Sequence, residues 1–131
     1  MATELWILGW GCLLALVHIF AAVRAKTRQY GTRWNVGARD EALAPLEPVA
    51  GRLARAQANY FETFPIMIAA VTIAVIGERT SDVTAAGAWI WLAARVVYLP
   101  LYAFGIPVVR TLCFLAGVVG ILMVLVPALW P

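Results

Sequence analysis

The chain has 131 residues, 63% of them hydrophobic and 13% charged, with a formal net charge of +3. A soluble domain runs nearer roughly 45–50% apolar and 25% charged, so lipid is the expected solvent for much of this surface. Seven of the ten basic residues fall between Arg24 and Arg55, flanking apolar runs; such placement reports membrane orientation and argues against nucleic acid as a partner.

The first predicted span covers about 5–23, an apolar run broken by His18. Its length suits a hydrocarbon core of ~30 Å. No basic n-region precedes it and no small-residue cleavage site follows, so it is expected to be a retained helix rather than a signal peptide. His18 has no carboxylate placed beside it, which favours packing or capping over acid–base work. Cys12 and Cys113 lie inside apolar runs and read as small hydrophobes, neither a disulfide framework nor a metal site.

Residues 24–51 read as a polar loop, carrying most of the basic residues and punctuated by Gly31, Gly37, Pro45 and Pro48. The second span, about 52–76, begins with Arg52, Arg55, Gln57, Asn59 and Glu62, and Pro65 is expected to kink it. A tight turn with Gly77, Glu78, Arg79 and Asp82 leads to the third span, about 83–104, which carries Arg95. Gly105 and Pro107 make a short connection to the fourth span, about 108–130, where Gly117 and Gly120 allow close helix packing. Trp6, Trp10 and Trp130 fall where interfacial anchors belong.

The expected architecture is therefore an all-α integral membrane protein, a four-transmembrane-helix bundle running up-down-up-down as one domain. Both termini lie on one side. The basic loop 24–51 is expected to be cytoplasmic, and the termini periplasmic or lumenal.

Ionisable residues inside a membrane span are functional candidates by default. Glu62 and Arg95 each lie about ten residues, or about 15 Å, from the basic end of their helices. By the same count Arg55 matches Tyr102 in depth, and Asn59 matches Tyr98. Arg55, Asn59 and Glu62 share one helical face, as do Trp91, Arg95, Tyr98 and Tyr102. Two polar stripes at matching depth predict a cleft opening to the basic side. A Glu62–Arg95 pair that merely fixes register explains the two charges alone. It does not explain the surrounding arginines, which suit an anionic ligand with carboxylates bound bidentately.

The stretch Arg52-Leu-Ala-Arg-Ala-Gln-Ala-Asn-Tyr-Phe-Glu62-Thr-Phe-Pro65 resembles the signature of the MAPEG family, the membrane-associated proteins in eicosanoid and glutathione metabolism. Arg95-Val-Val-Tyr98-Leu-Pro-Leu-Tyr102 is similar to that family's third-helix Arg-x-x-Tyr-x-x-x-Tyr pattern. The likeness is to bacterial members related to microsomal glutathione transferases, and it implies an inner-membrane homotrimer binding glutathione between subunits on the cytoplasmic side. Carried over by motif, it implies that Arg55, Gln57, Asn59 and Glu62 hold the thiol peptide, with Tyr98 and Tyr102 lining the site and Arg95 acting through Glu62. Arg52 joins this group. Arg24, Lys26 and Arg28 all compete for the basic position supplied by a neighbouring subunit, with Arg28 taken as the candidate. Arg110, near the offset start of span four, is the match for the family's thiolate-stabilising arginine.

The leading expectation is a membrane-embedded transferase or peroxidase that uses glutathione, or a similar low-molecular-weight thiol, as cosubstrate against hydrophobic electrophiles from the bilayer. A lipid-binding or scaffold protein of the same fold is the second. A small proton-coupled multidrug exporter is the third; it needs an unpaired titratable carboxylate, which a Glu62–Arg95 pair would deny it. The sequence carries no metal, haem or nucleotide motif.

Overall fold

The computed structural model describes residues 1–130. It contains α1 (Thr3–Tyr30), the short α2 (Thr32–Val36), α3 (Pro48–Ile76), α4 (Asp82–Ala103) and α5 (Pro107–Leu129), with no strand among the described residues. The four long helices are each long and apolar enough to cross a membrane. Joined in succession, they form the expected four-helix bundle. Its terminal end holds residue 1 and the 77–81 turn, and its basic end holds α2 and the 104–106 turn.

The bundle is inside out relative to a soluble protein. The buried face of α1 is Glu4, Ile7, Gly11, Ala15, His18 and Ala22, at three- and four-residue spacing. Its outward face carries Trp10, Leu13, Leu16, Val17 and Phe20, all exposed. Small, polar and aromatic groups therefore pack inward while branched aliphatics meet lipid, as expected where tight packing rather than apolar burial drives helix association. Trp91 is fully buried at the centre with Tyr60, Phe64 and Met67. A Cβ on Gly11 would lie 2.7 Å from the Trp91 ring, so this glycine admits the indole. Similarly, a Cβ on Gly120 would stand 2.6 Å from the Gly87 carbonyl oxygen, which marks a backbone-to-backbone crossing of α4 and α5.

The helix ends follow local chemistry. Pro48 and Pro107 open α3 and α5, where a missing N–H costs no hydrogen bond. Ser81 and Thr84 form a reciprocal capping box at the start of α4. α3 runs on through Pro65 without interruption.

The polar stretch 24–51 is only partly a loop. α1 continues about two turns past Val23 because good helix formers fill the stretch until Gly31, which takes a φ of 91°. The non-helical strap that remains is tied down. Gln29 donates to the Pro45 carbonyl at 2.9 Å and accepts from the Glu47 N–H at 2.8 Å, while the Tyr30 hydroxyl donates to the Ala44 carbonyl at 2.5 Å. Arg39 lies over the Trp34 ring at 4.8 Å.

At the terminal end, Glu4, just before the predicted first span, is buried and accepts a hydrogen bond from the Thr84 hydroxyl. Trp6 packs on Trp10 and on Trp89, with ring centroids 5.7 and 5.6 Å apart. Trp89 thus extends the interfacial aromatic group that the sequence located at Trp6 and Trp10.

Candidate functional site

At the basic end, α3, α4 and α5 form an open cavity of about 280 Å³ lined by Asn59, Tyr98, Tyr102, Arg110, Thr111 and Phe114. Each helix contributes by register. Asn59 comes from α3, Tyr98 and Tyr102 lie one turn apart on α4, and Arg110 and Phe114 lie one turn apart on α5. The tight 104–106 connection sets the first turn of α5 beside the last turn of α4. Gly105, at a φ of 73°, makes that reversal possible. Arg52 braces it by donating from Nε to the Ala103 carbonyl at 2.9 Å.

Tyr102 sits between two cations. The Arg110 guanidinium lies 4.6 Å from its ring centre and that of Arg55 lies 6.0 Å away. Tyr98 stands edge-on to Tyr102 at 5.5 Å. Behind Tyr98, Arg95 is only 1% exposed. Its Nη1 donates to Asn59 Oδ1 at 2.9 Å and its Nη2 to the Thr63 hydroxyl. The guanidinium also faces the rings of Tyr98 and Phe114 at 5.4 and 5.2 Å. Its Nε has no hydrogen-bond partner.

This corrects the expected pairing of Arg95 with Glu62. On a helix of 3.6 residues per turn, Thr63 lies about 40° from Asn59, and together they point at α4. Glu62 lies about 100° from Thr63, on the edge of that face, and its side chain is exposed. Arg95 is thus held by neutral oxygens and aromatic faces. Its contacts with the cavity lining are to Asn59 and Tyr98, not to Glu62.

The remaining candidates divide by position. Asn59, Tyr98, Tyr102 and Arg110 are brought together in the cavity, with Arg55 on its rim against Tyr102. Gln57 is half-buried, about 160° around α3 from Asn59, and does not line the cavity. Arg28 lies on α1 and lines two other grooves, of about 650 and 710 Å³, rather than this one. Thr63, Thr111 and Phe114 belong to the site or its support, although the sequence reading passed over them. The signals were present: Thr63 lies four residues after Asn59, and Phe114 four after Arg110. His18 is fully buried and stacks on Tyr60 at 4.6 Å, with neither ring nitrogen hydrogen-bonded.

No carboxylate lines this cavity, while Arg110 does and Arg55 and Arg95 flank it. Of these cations only Arg95 is buried, and a buried cation without a carboxylate partner is costly. The arrangement favours an anionic guest, for which guanidinium supplies charge and paired N–H donors.

Comparison with known proteins gives one result. No match was found among curated proteins or among solved structures. The MAPEG family model matches residues 7–130, which takes in all but the first turn of α1, the other three long helices and the cavity between them. The chain therefore belongs to the MAPEG family.

Proposed function

We propose that this protein is a glutathione-dependent transferase or peroxidase that takes hydrophobic electrophiles from the bilayer. The observation that carries the reading is the carboxylate-free cavity lined by Arg110 and flanked by Arg55 and Arg95. Glutathione, or a similar low-molecular-weight thiol, supplies carboxylates for the guanidiniums and a sulfur nucleophile. A free thiol has a pKa of about 8.5, and a permanent cation beside it lowers that value. Arg110 is the cation assigned this task. The thiol proton leaves to water, the thiolate attacks the electrophilic carbon, an S–C bond forms and the leaving group departs with the electron pair.

The working unit is a homotrimer. Two observations support a second copy beside this one. Glu62 is exposed on the protomer at mid-membrane depth, where lipid is a poor neighbour for a carboxylate. The cavity of about 280 Å³ also lies below the roughly 300–1,000 Å³ common for ligands of this size. A neighbouring copy would cover Glu62 and complete the thiol site with Gln57 or Arg28. The concentration of arginine and lysine at the basic end supports a cytoplasmic position for that end, with the termini on the opposite side; a bacterial inner membrane is part of the same proposal.

With Arg95 turned to Asn59 and Thr63, the pairing that counted against a proton-coupled exporter is gone. Family membership now favours the thiol reading over it.

The deciding experiment is ultraviolet absorbance of thiolate on adding glutathione to the purified protein, with Arg110→Ala alongside. A thiolate band in the wild type that disappears in the variant is expected. Absence of both the band and calorimetric thiol binding in a folded oligomer overturns the proposal.

A further inference from the structure

The outward face of α1 changes character along its length. Leu13, Leu16, Val17 and Phe20 are exposed and apolar; Val23, Arg24, Thr27 and Arg28 then continue the same stripe at three- and four-residue spacing. At 1.5 Å per residue, Arg24 stands about 27 Å along the helix from Trp6. With Trp6 in the aromatic belt of one leaflet, Arg24 falls at the opposite edge of a hydrocarbon core ~30 Å thick, and Arg28 lies a turn further out, among the headgroups.

At this height α2 folds back beside α1 and makes a groove of about 650 Å³. Its upper lining is Arg24, Arg28, Thr32 and Asn35, and its lower lining is Phe20 and Val23. No carboxylate is among the lining residues. Thr27 also faces this groove, and its hydroxyl is buried without a hydrogen-bond partner. The groove on the other side of the same arginines differs, because Glu47 contributes to its lining. These two cationic sites without a lining carboxylate thus lie on different helices: one between α3, α4 and α5, the other between α1 and α2.

We infer that the α1–α2 groove binds an anionic phospholipid of the leaflet at the basic end. Its phosphate lies between Arg24 and Arg28, within reach of the polar groups of Thr32 and Asn35. Its acyl chain descends over Phe20, Val17 and Leu13. Charge complementarity selects the occupant: two guanidiniums without a carboxylate call for an anion. The apolar stripe continuing directly beneath them calls for one with a hydrocarbon chain attached. This inference shares residues with the thiol reading but is tested apart from it. Arg24 and Arg28 are both candidates for the neighbouring subunit's thiol site, so the test is run without added thiol and rests on Arg24, which is exposed and does not line the α3–α5 cavity of its own protomer.

The experiment uses the purified full chain in detergent, titrated separately with phosphatidylglycerol, phosphatidylcholine and inorganic phosphate. Bound lipid is read by native mass spectrometry and stability by thermal unfolding. Phosphatidylglycerol is expected to bind in preference to phosphatidylcholine and to raise the unfolding temperature. Arg24→Gln is expected to weaken that binding about fivefold, and Arg24→Lys to retain most of it. Inorganic phosphate, lacking a chain, is expected to produce no stabilisation at the same concentrations. Equal binding of the two lipids by the wild type overturns the inference, and so does unchanged phosphatidylglycerol binding in folded Arg24→Gln. A phosphate effect as large as the lipid's overturns the commitment to lipid. Should Arg24→Gln fail to fold, the wild-type preference between the two lipids and the loss expected in Thr32→Val decide the matter.

Discussion

Arg95 is the residue on which the polar interior turns. It is a buried cation whose hydrogen bonds go to Asn59 and Thr63. Removing the Asn59 acceptor leaves a guanidinium N–H unpaired in a low-dielectric site, at a cost of about 1–3 kcal/mol. Asn59→Leu is therefore expected to lower the thermal stability of the detergent-solubilised protein. Glu62→Gln is not, because Glu62 holds nothing in the protomer; its expected effect is weaker thiol binding by calorimetry, with unfolding temperature maintained. A stability loss in Glu62→Gln as large as in Asn59→Leu would restore the Glu62–Arg95 pair. Counting residues from the helix ends put Arg55 at the depth of Tyr102 and Asn59 at the depth of Tyr98, and each pair meets at one site. The same count put Glu62 level with Arg95, yet they do not pair. Depth depends on rise along the helix, which sequence supplies. Azimuth depends on how two helices are rotated against each other, and one residue more or less turns a side chain by about 100°.

Between elements, the tightest point is the crossing of α4 and α5 at Gly87 and Gly120. A side chain on Gly120 would meet the Gly87 carbonyl oxygen at 2.6 Å and the Trp91 N–H nitrogen at 2.7 Å, both fixed backbone atoms. Gly120→Val is expected to destabilise the bundle by about 1–3 kcal/mol through overpacking, seen as a lower unfolding temperature by size-exclusion fluorescence. Unchanged stability would mean that the helices separate at little cost. The four spans were legible because each is an apolar run of bilayer length bounded by proline, glycine or charge. Less legible was the helical continuation from Arg24 to Tyr30, since charge density there reads as loop. In fact the side chains carry the charge outward while the backbone keeps its helical hydrogen bonds until Gly31. Glu4 was passed over for a related reason. An acidic residue beside an apolar run looks like a boundary, and only the start of α4, far along the chain, provides the hydroxyl that buries it.

At the scale of the whole molecule, basic charge is concentrated at one end and the apolar surface faces outward. The orientation proposed from the positive-inside rule has the strap between α2 and α3 in the cytoplasm. A cysteine introduced at exposed Ala38, in a background with Cys12 and Cys113 replaced by alanine, is expected to react with a membrane-impermeant maleimide only after the cells are broken. Labelling of intact cells would reverse the topology and with it the side from which the thiol arrives. The cavity itself was only half legible. Its α3 and α4 residues lie in recognisable motifs, whereas Arg110, Thr111 and Phe114 depend on a turn of three residues setting the phase of α5.

The hydrogen bond from Thr84 to Glu4 spans 80 positions of the chain. During synthesis, α1 and α3 emerge first and leave that carboxylate at the membrane rim with no partner. Only when Ser81 and Thr84 form their cap can the first turn of the protein be sealed. The bond thus cannot form before the third long helix has been made, and it ties the earliest segment of the chain to a late one.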